Sequence, residues 1–127
     1  MPVDASMPIL IVDDSATAIR IVRELLQKLG FENVDEADGC YTALGKIRSK
    51  HYSLIISDWN MEPMSGYDLL CQVRADPNFG QTRFLMLTAE SSTKNVIAAK
   101  QAGADHYIIK PFDTLTLKFK IEAIFSS

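Results

Sequence analysis

The chain has 127 residues, 47% hydrophobic and 23% charged, with a formal net charge of −3. At roughly 150 residues per domain this is about one domain, and the composition excludes disorder, collagen and a coiled coil. The mixed charges argue against a nucleic-acid binder held by phosphate contacts, no apolar run approaches the ~20 residues of a membrane span, and the start of the chain lacks a signal peptide's basic segment and apolar run. A cytoplasmic location is expected.

Cys40 and Cys71 fit no C-x-x-C pattern. Buried or half-buried free thiols are expected, since a disulfide needs an oxidising compartment. His51 and His106 have no second His or Cys at metal-ligand spacing, so both read as ordinary residues.

Along the chain, strand and helix patterns alternate. Ile9-Leu10-Ile11-Val12 is a β-branched run that stops at Asp13-Asp14, as a strand buried on both faces does. Residues 15–29 carry Ile19, Val22, Leu25, Leu26 and Leu29 on one helical stripe, ended by Gly30. Residues 33–37 form a weak second strand, and Gly39 opens a helix through about residue 49. Leu54-Ile55-Ile56-Ser57 is a third strand, again ending in an acid, Asp58. A loop with Pro63 and Gly66 leads to a helix over residues 67–75, then to the turn Asp76-Pro77-Asn78. The fourth strand, residues 84–87, ends at Thr88; a helix over 91–102 is closed by Gly103; and the fifth strand, Tyr107-Ile108-Ile109, ends at Lys110-Pro111.

Residues 115–121 alternate with period two, as a strand would, yet Leu117, Ile121, Ile124 and Phe125 also fall at i, i+4, i+7 and i+8. The βα alternation favours a helix. Leu115 and Phe119 then point away from its apolar stripe, which marks a candidate contact surface beside the ordinary alternative of scattered exposed apolar residues.

Five βα units imply an α/β fold with a doubly wound parallel sheet and helices on both faces. Ligands of such folds lie outside the carboxyl ends of the strands. The residues there are Asp13, Asp14, Asp58, Thr88 and Lys110. Acids this close resist joint ionisation unless cations intervene. Lys110 offsets one charge, and an all-oxygen set suits Mg²⁺ for the rest. A carboxylate can act as nucleophile and form an acyl phosphate, with cations clamping the transferring oxygens. No phosphate-cradling glycine loop follows the first strand. Helix capping alone would explain Asp14 or Ser15, but not Asp58, the lysine and the hydroxyl together.

Ile11-Val12-Asp13-Asp14, Ile56-Ser57-Asp58-Trp59-Asn60-Met61, Leu87-Thr88-Ala89-Glu90, Gln101-Ala102-Gly103-Ala104 and Tyr107-Ile108-Ile109-Lys110-Pro111-Phe112 span nearly the whole chain. In order and spacing the sequence resembles the receiver domain of the two-component response regulators, its chemotaxis members above all. The resemblance implies the flavodoxin-like strand order 2-1-3-4-5. It makes Asp58 the phosphoacceptor and Asp13, Asp14, Asp58 and the backbone carbonyl of Asn60 the Mg²⁺ ligands. Lys110 would contact the phosphoryl group beside a cis bond to Pro111. Thr88 and Tyr107 would form a switch in which the hydroxyl moves toward the phosphate and the ring turns inward. Asn60, Glu90 and Glu62 would tune dephosphorylation. The donor would be a sensor histidine kinase.

Two departures stand out. Glu62 occupies the place where the family usually has proline, and Pro63 follows it. Ser91, Ser92 and Thr93 stand where motor-switch members commonly carry lysines. The partner face expected from the resemblance comprises the fourth helix, fifth strand and fifth helix, with Val96, Tyr107, Leu115 and Phe119.

The expectation is a single stand-alone receiver domain over residues 1–127, with a core of about 8–125. It is a signalling protein that catalyses only its own phosphorylation and dephosphorylation, monomeric or dimerising when phosphorylated, and signals in chemotaxis by binding a target protein. A phosphorelay shuttle or a stress or development regulator is the alternative, followed by an aspartate-nucleophile phosphatase of the haloacid dehalogenase type, where Asn60 replaces the second acid. A flavin carrier on this fold would need a phosphate loop where Asp13 and Asp14 repel one. A constitutive adaptor would leave the acid set unused.

Overall fold

The computed structural model describes residues 3–89 and 92–126. Strands and helices alternate as β1 (Ile9–Val12), α1 (Ala16–Lys28), β2 (Val34–Ala37), α2 (Cys40–Ser49), β3 (Leu54–Asp58), α3 (Gly66–Ala75), β4 (Arg83–Thr88), α4 (Thr93–Gln101), β5 (His106–Ile109) and α5 (Thr114–Phe125). All neighbouring strands pair in parallel, in the order β2-β1-β3-β4-β5. This is the expected flavodoxin-like topology.

Side-chain alternation along the strands builds two cores. Ile9, Ile11, Leu54, Ile56, Leu85, Leu87 and Ile108 join Ile19, Val22 and Leu26 of α1 and Leu117, Ile121 and Ile124 of α5. Leu10, Val12, Ile55, Phe84 and Met86 point the other way, onto Ala43, Leu44 and Ile47 of α2 and Leu69, Leu70 and Val73 of α3. Both faces being covered explains why the inner strands read as unbroken apolar runs.

The helix ends follow local chemistry. The Ser15 hydroxyl accepts the Ala18 N–H at 3.2 Å and caps α1, and Gly30 takes φ +95° just past its end, where a side chain would be strained. Ser65 and Asp68 form a reciprocal capping box on α3. α5 is a helix, capped by Asp113, and burying its i, i+4, i+7 stripe defeats the period-two alternative. Leu115 and Phe119 lie outside that stripe, 58% and 61% exposed.

Three details differ from expectation. β4 and β5 each begin one residue earlier, at Arg83 and His106, because pairing with the neighbouring strand extends them. α4 begins at Thr93; residue 91 lies outside the described residues. Both cysteines are free, but only Cys40 is buried; Cys71 is exposed because it lies off the buried stripe of α3. Among the described residues no helix is long and apolar enough to cross a membrane.

Candidate functional site

The ladder register assembles the site. Val12 pairs with Ser57 and Asp58 with Leu87, so Asp13, one residue beyond β1, lies alongside Asp58 at the carboxyl edge. The Lys110 N–H donates to the Thr88 carbonyl at 2.8 Å, and the Trp59 N–H to that of Leu87 at 2.8 Å, which tie the ends of β3, β4 and β5 together.

Asp13, Asp58 and Thr88 are buried there, with Ser57 wholly buried beside Asp58. Lys110 reaches into the group: its Nζ is 2.8 Å from Asp58 Oδ1 and 3.8 Å from Asp13 Oδ2. Asp13 Oδ1 accepts the Ser15 N–H at 2.9 Å. Burial pushes the Asp13 carboxyl up from its ordinary range, and the charges of Asp58 and Asp14 push the same way; the Ser15 hydrogen bond and Lys110 oppose them. Desolvation is thus the larger cause, ahead of the like-charge repulsion that strand-end acids alone suggest. One lysine cation faces two buried carboxylates. Lys110-Pro111 is cis, as expected, and Glu62-Pro63 is cis as well.

The remaining site residues are placed less tightly. Asp14, Asn60 and Glu62 are exposed, while Met61 between the latter two is buried. Glu90 lies outside the described residues. Tyr107 is half-buried on β5 opposite Met86, its ring near two lysines. Of the expected partner face, Leu115 and Phe119 are exposed, but Val96 is half-buried; its neighbour Ile97, 48% exposed, presents the apolar surface of α4 instead.

Among the described residues no group of three His, Cys, Asp or Glu side chains is arranged to hold a metal ion. The acids that do converge, Asp13 and Asp58, still fit Mg²⁺. It is a hard cation that keeps several waters and needs only one or two carboxylates, and these two are buried with a surplus of negative charge.

Two supports escaped the strand-end argument. Gly66 opens α3 against Asp58, where a Cβ would stand 2.0 Å from the Asp58 carbonyl oxygen. The Ser57 hydroxyl donates to that same oxygen at 3.0 Å. A capping Ser65 just before the glycine is a sequence sign of a helix start, but the close approach itself arises from packing. Trp59 stacks on Tyr67 with centroids 5.5 Å apart.

The family model for the response regulator receiver domain matches residues 9–122. The chain belongs to the receiver-domain family. This receiver domain is 48% identical over 119 residues to the chemotaxis protein CheY of Pseudomonas aeruginosa, covering 94% of this chain and 96% of that one. It is 47% identical over 120 residues to the chemotaxis protein CheY-3 of Vibrio cholerae, covering 94% and 92%. Among solved structures it resembles the Vibrio cholerae chemotaxis protein CheY4, with a TM-score of 0.87 and 33% identity over 94% of this chain and 99% of that one. The chain is thus a CheY-like response regulator receiver domain, a class that works with histidine kinases.

Proposed function

We propose that this receiver domain accepts a phosphoryl group on Asp58 from the phosphohistidine of a sensor kinase and signals in chemotaxis by changing a protein-binding surface. The observation that carries the reading is the buried Asp58 carboxylate with the Lys110 ammonium 2.8 Å away. A carboxylate oxygen attacks phosphorus, the P–N bond breaks, and its electron pair leaves with the imidazole, which takes up a proton. An acyl phosphate results. Lys110 and the Thr88 hydroxyl donate to the phosphoryl oxygens in a largely desolvated site, where such contacts are strong. Asp13 and Asp58 would hold Mg²⁺ in this reading, with the exposed Asp14 and the Asn60 carbonyl as the further ligands the resemblance implies, and the ion would supply charge neutralisation on those oxygens. Hydrolysis returns the aspartate, at a rate that Asn60, Glu62 and Glu90 tune in this reading.

Phosphorylation then biases a two-state packing element. Thr88 moves toward the phosphate and the Tyr107 ring turns inward, altering the face that carries Ile97, Leu115 and Phe119. The 47–48% identity to chemotaxis proteins favours that pathway over a phosphorelay shuttle. The role is one of cytoplasmic signalling; activity on other substrates is not part of it.

Trp59 adjoins Asp58 and reports on the site. Its fluorescence is expected to change saturably when beryllofluoride, an acyl-phosphate mimic, is added with Mg²⁺, and not in Asp58→Asn. Absence of that change together with no phosphate incorporation from acetyl phosphate would sink the proposal and leave the constitutive adaptor. Phe119→Ala is expected to weaken target binding at least severalfold, as truncating an exposed aromatic anchor does, with phosphorylation intact. Unchanged binding would remove this face from the reading.

A further inference from the structure

The Tyr107 ring has an ammonium group on each of two helices. Lys100 of α4 places its Nζ 5.5 Å from the ring centroid, and Lys120 of α5 places its own at 5.2 Å. Both lie within the ~6 Å range of a cation–π contact. His106, next to the tyrosine, anchors one of them: its Nδ1 lies 3.4 Å from Lys120 Nζ and accepts the Tyr107 N–H at 3.2 Å.

Two like charges gathered at one ring need a reason. Burial, and then Lys100, pull the Lys120 ammonium's pKa down, so the pair is mutually unfavourable. Among the described residues neither lysine has an ion pair. The nearby carboxylate, Asp105, is engaged by Arg74, Arg83 and the Phe84 N–H. The negative face of the ring is what the structure offers both cations, and the contact works in both directions: the ring is held between α4 and α5.

We infer that Lys100 and Lys120, with His106 steadying Lys120, are positioning residues that hold the Tyr107 ring in its half-buried setting and so bias the switch toward its resting state. The inference rests on the proposed Thr88–Tyr107 switch. None of the three residues belongs to the phosphoacceptor site. The clamp therefore sets how readily the surface changes for a given state of Asp58, not how readily Asp58 reacts. Each cation–π contact at a partly exposed site shifts a two-state ring equilibrium by about two- to five-fold.

The test is fluorine NMR of the full chain labelled with 3-fluorotyrosine, the Tyr107 signal being assigned by its loss in Tyr107→Phe. Wild type, Lys100→Met, Lys120→Met, the double variant and Lys120→Arg are compared, each with and without Mg²⁺ and beryllofluoride. Phosphate incorporation from acetyl phosphate is measured in parallel. In the resting protein each Met variant is expected to raise the inward-to-outward ratio of the ring about two- to five-fold, read as a shift of the signal toward its beryllofluoride position. The double variant should roughly multiply the two effects. Lys120→Arg, which keeps a cation over the ring, should restore the wild-type signal, and labelling should be unchanged throughout. A double variant with the wild-type Tyr107 signal overturns the clamp while leaving the phosphoacceptor reading intact. A wild type that takes no phosphate, in which the double variant still frees the ring, overturns that reading and leaves the ring clamp standing.

Discussion

The two ends of the parallel sheet both hold charged side chains out of water, yet they are built on opposite terms. At the amino end, Arg74 donates to the carbonyls of Gly103 at 2.9 Å, Gly80 at 2.9 Å and Thr82 at 2.6 Å, and to Asp105 at 3.0 Å. Asp105 also accepts the Phe84 N–H at 2.8 Å and an Arg83 N–H at 3.3 Å. At the carboxyl end, Asp13 and Asp58 are more deeply buried and share one lysine. A saturated network fastens loops and strand starts. A cluster with more anion than cation stores a demand for positive charge, which a metal or a transferred group's counter-ions can meet. Deeper burial at the carboxyl end does not by itself explain the contrast; the number of partners does.

Breaking the carboxyl end has the largest functional effect. Asp58→Asn is expected to reduce phosphate incorporation from acetyl phosphate to background while the protein stays folded. Persistent stoichiometric labelling would place the acceptor elsewhere. At the amino end the effect falls on stability. Arg74→Met takes from Asp105 its nearer cation, leaving it Arg83 and the Phe84 N–H, and removes three carbonyl bonds. It should cost roughly 2–4 kcal/mol, discounted for partial exposure, seen as a lower urea midpoint. Labelling of the folded fraction should be unchanged; a loss of labelling at full stability would erase the division of labour between the ends.

Gly66→Ala probes the contact that steadies Asp58 from α3. The added Cβ meets backbone, not a flexible side chain, so it must push the Asp58 carbonyl or the helix start. A cost of about 1–3 kcal/mol is expected, with slower labelling of the protein that remains folded. Wild-type labelling kinetics would show that the helix start yields instead.

The smallest effect sharpens the comparison through pH. The Asp13 carboxyl is raised when folded, chiefly by burial. A raised acid takes up its proton more readily in the folded than in the unfolded chain. Its favourable contribution is therefore present below the unfolded value, 3.8, and is lost as pH rises through the folded one. Asp13→Asn, measured in EDTA, should then raise the urea midpoint at neutral pH, and the gain should shrink as pH falls toward that range. A loss of stability at neutral pH would make the carboxylate a structural anchor, like Asp105.

Much of this was open to reading from residues alone. Apolar runs ending in Asp13, Asp58, Thr88 and Lys110 located the strand ends, and the topology of βα units brings strand ends to one edge. α5 needed the fold to resolve it, because its residues satisfy two periodicities and only burial against α1 and β5 selects the helical one. Val96 and Ile97 differ by one position on α4, and a helix rotation that a sequence stripe of three turns defines poorly decides which is exposed. His106 read as an ordinary residue, since Lys120 lies fourteen positions away.

The order of elements, the strand-end acids and the family followed from sequence, because period, capping and motif spacing are local properties that survive without coordinates. Tertiary structure decided how the charges are partnered. It set Lys110 against Asp58, gave Asp105 to Arg74, laid Gly66 on the Asp58 carbonyl and gathered two lysines at Tyr107. Those pairings depend on distances between segments far apart in the chain, and at a few ångströms in a desolvated edge such distances govern whether a charge is satisfied.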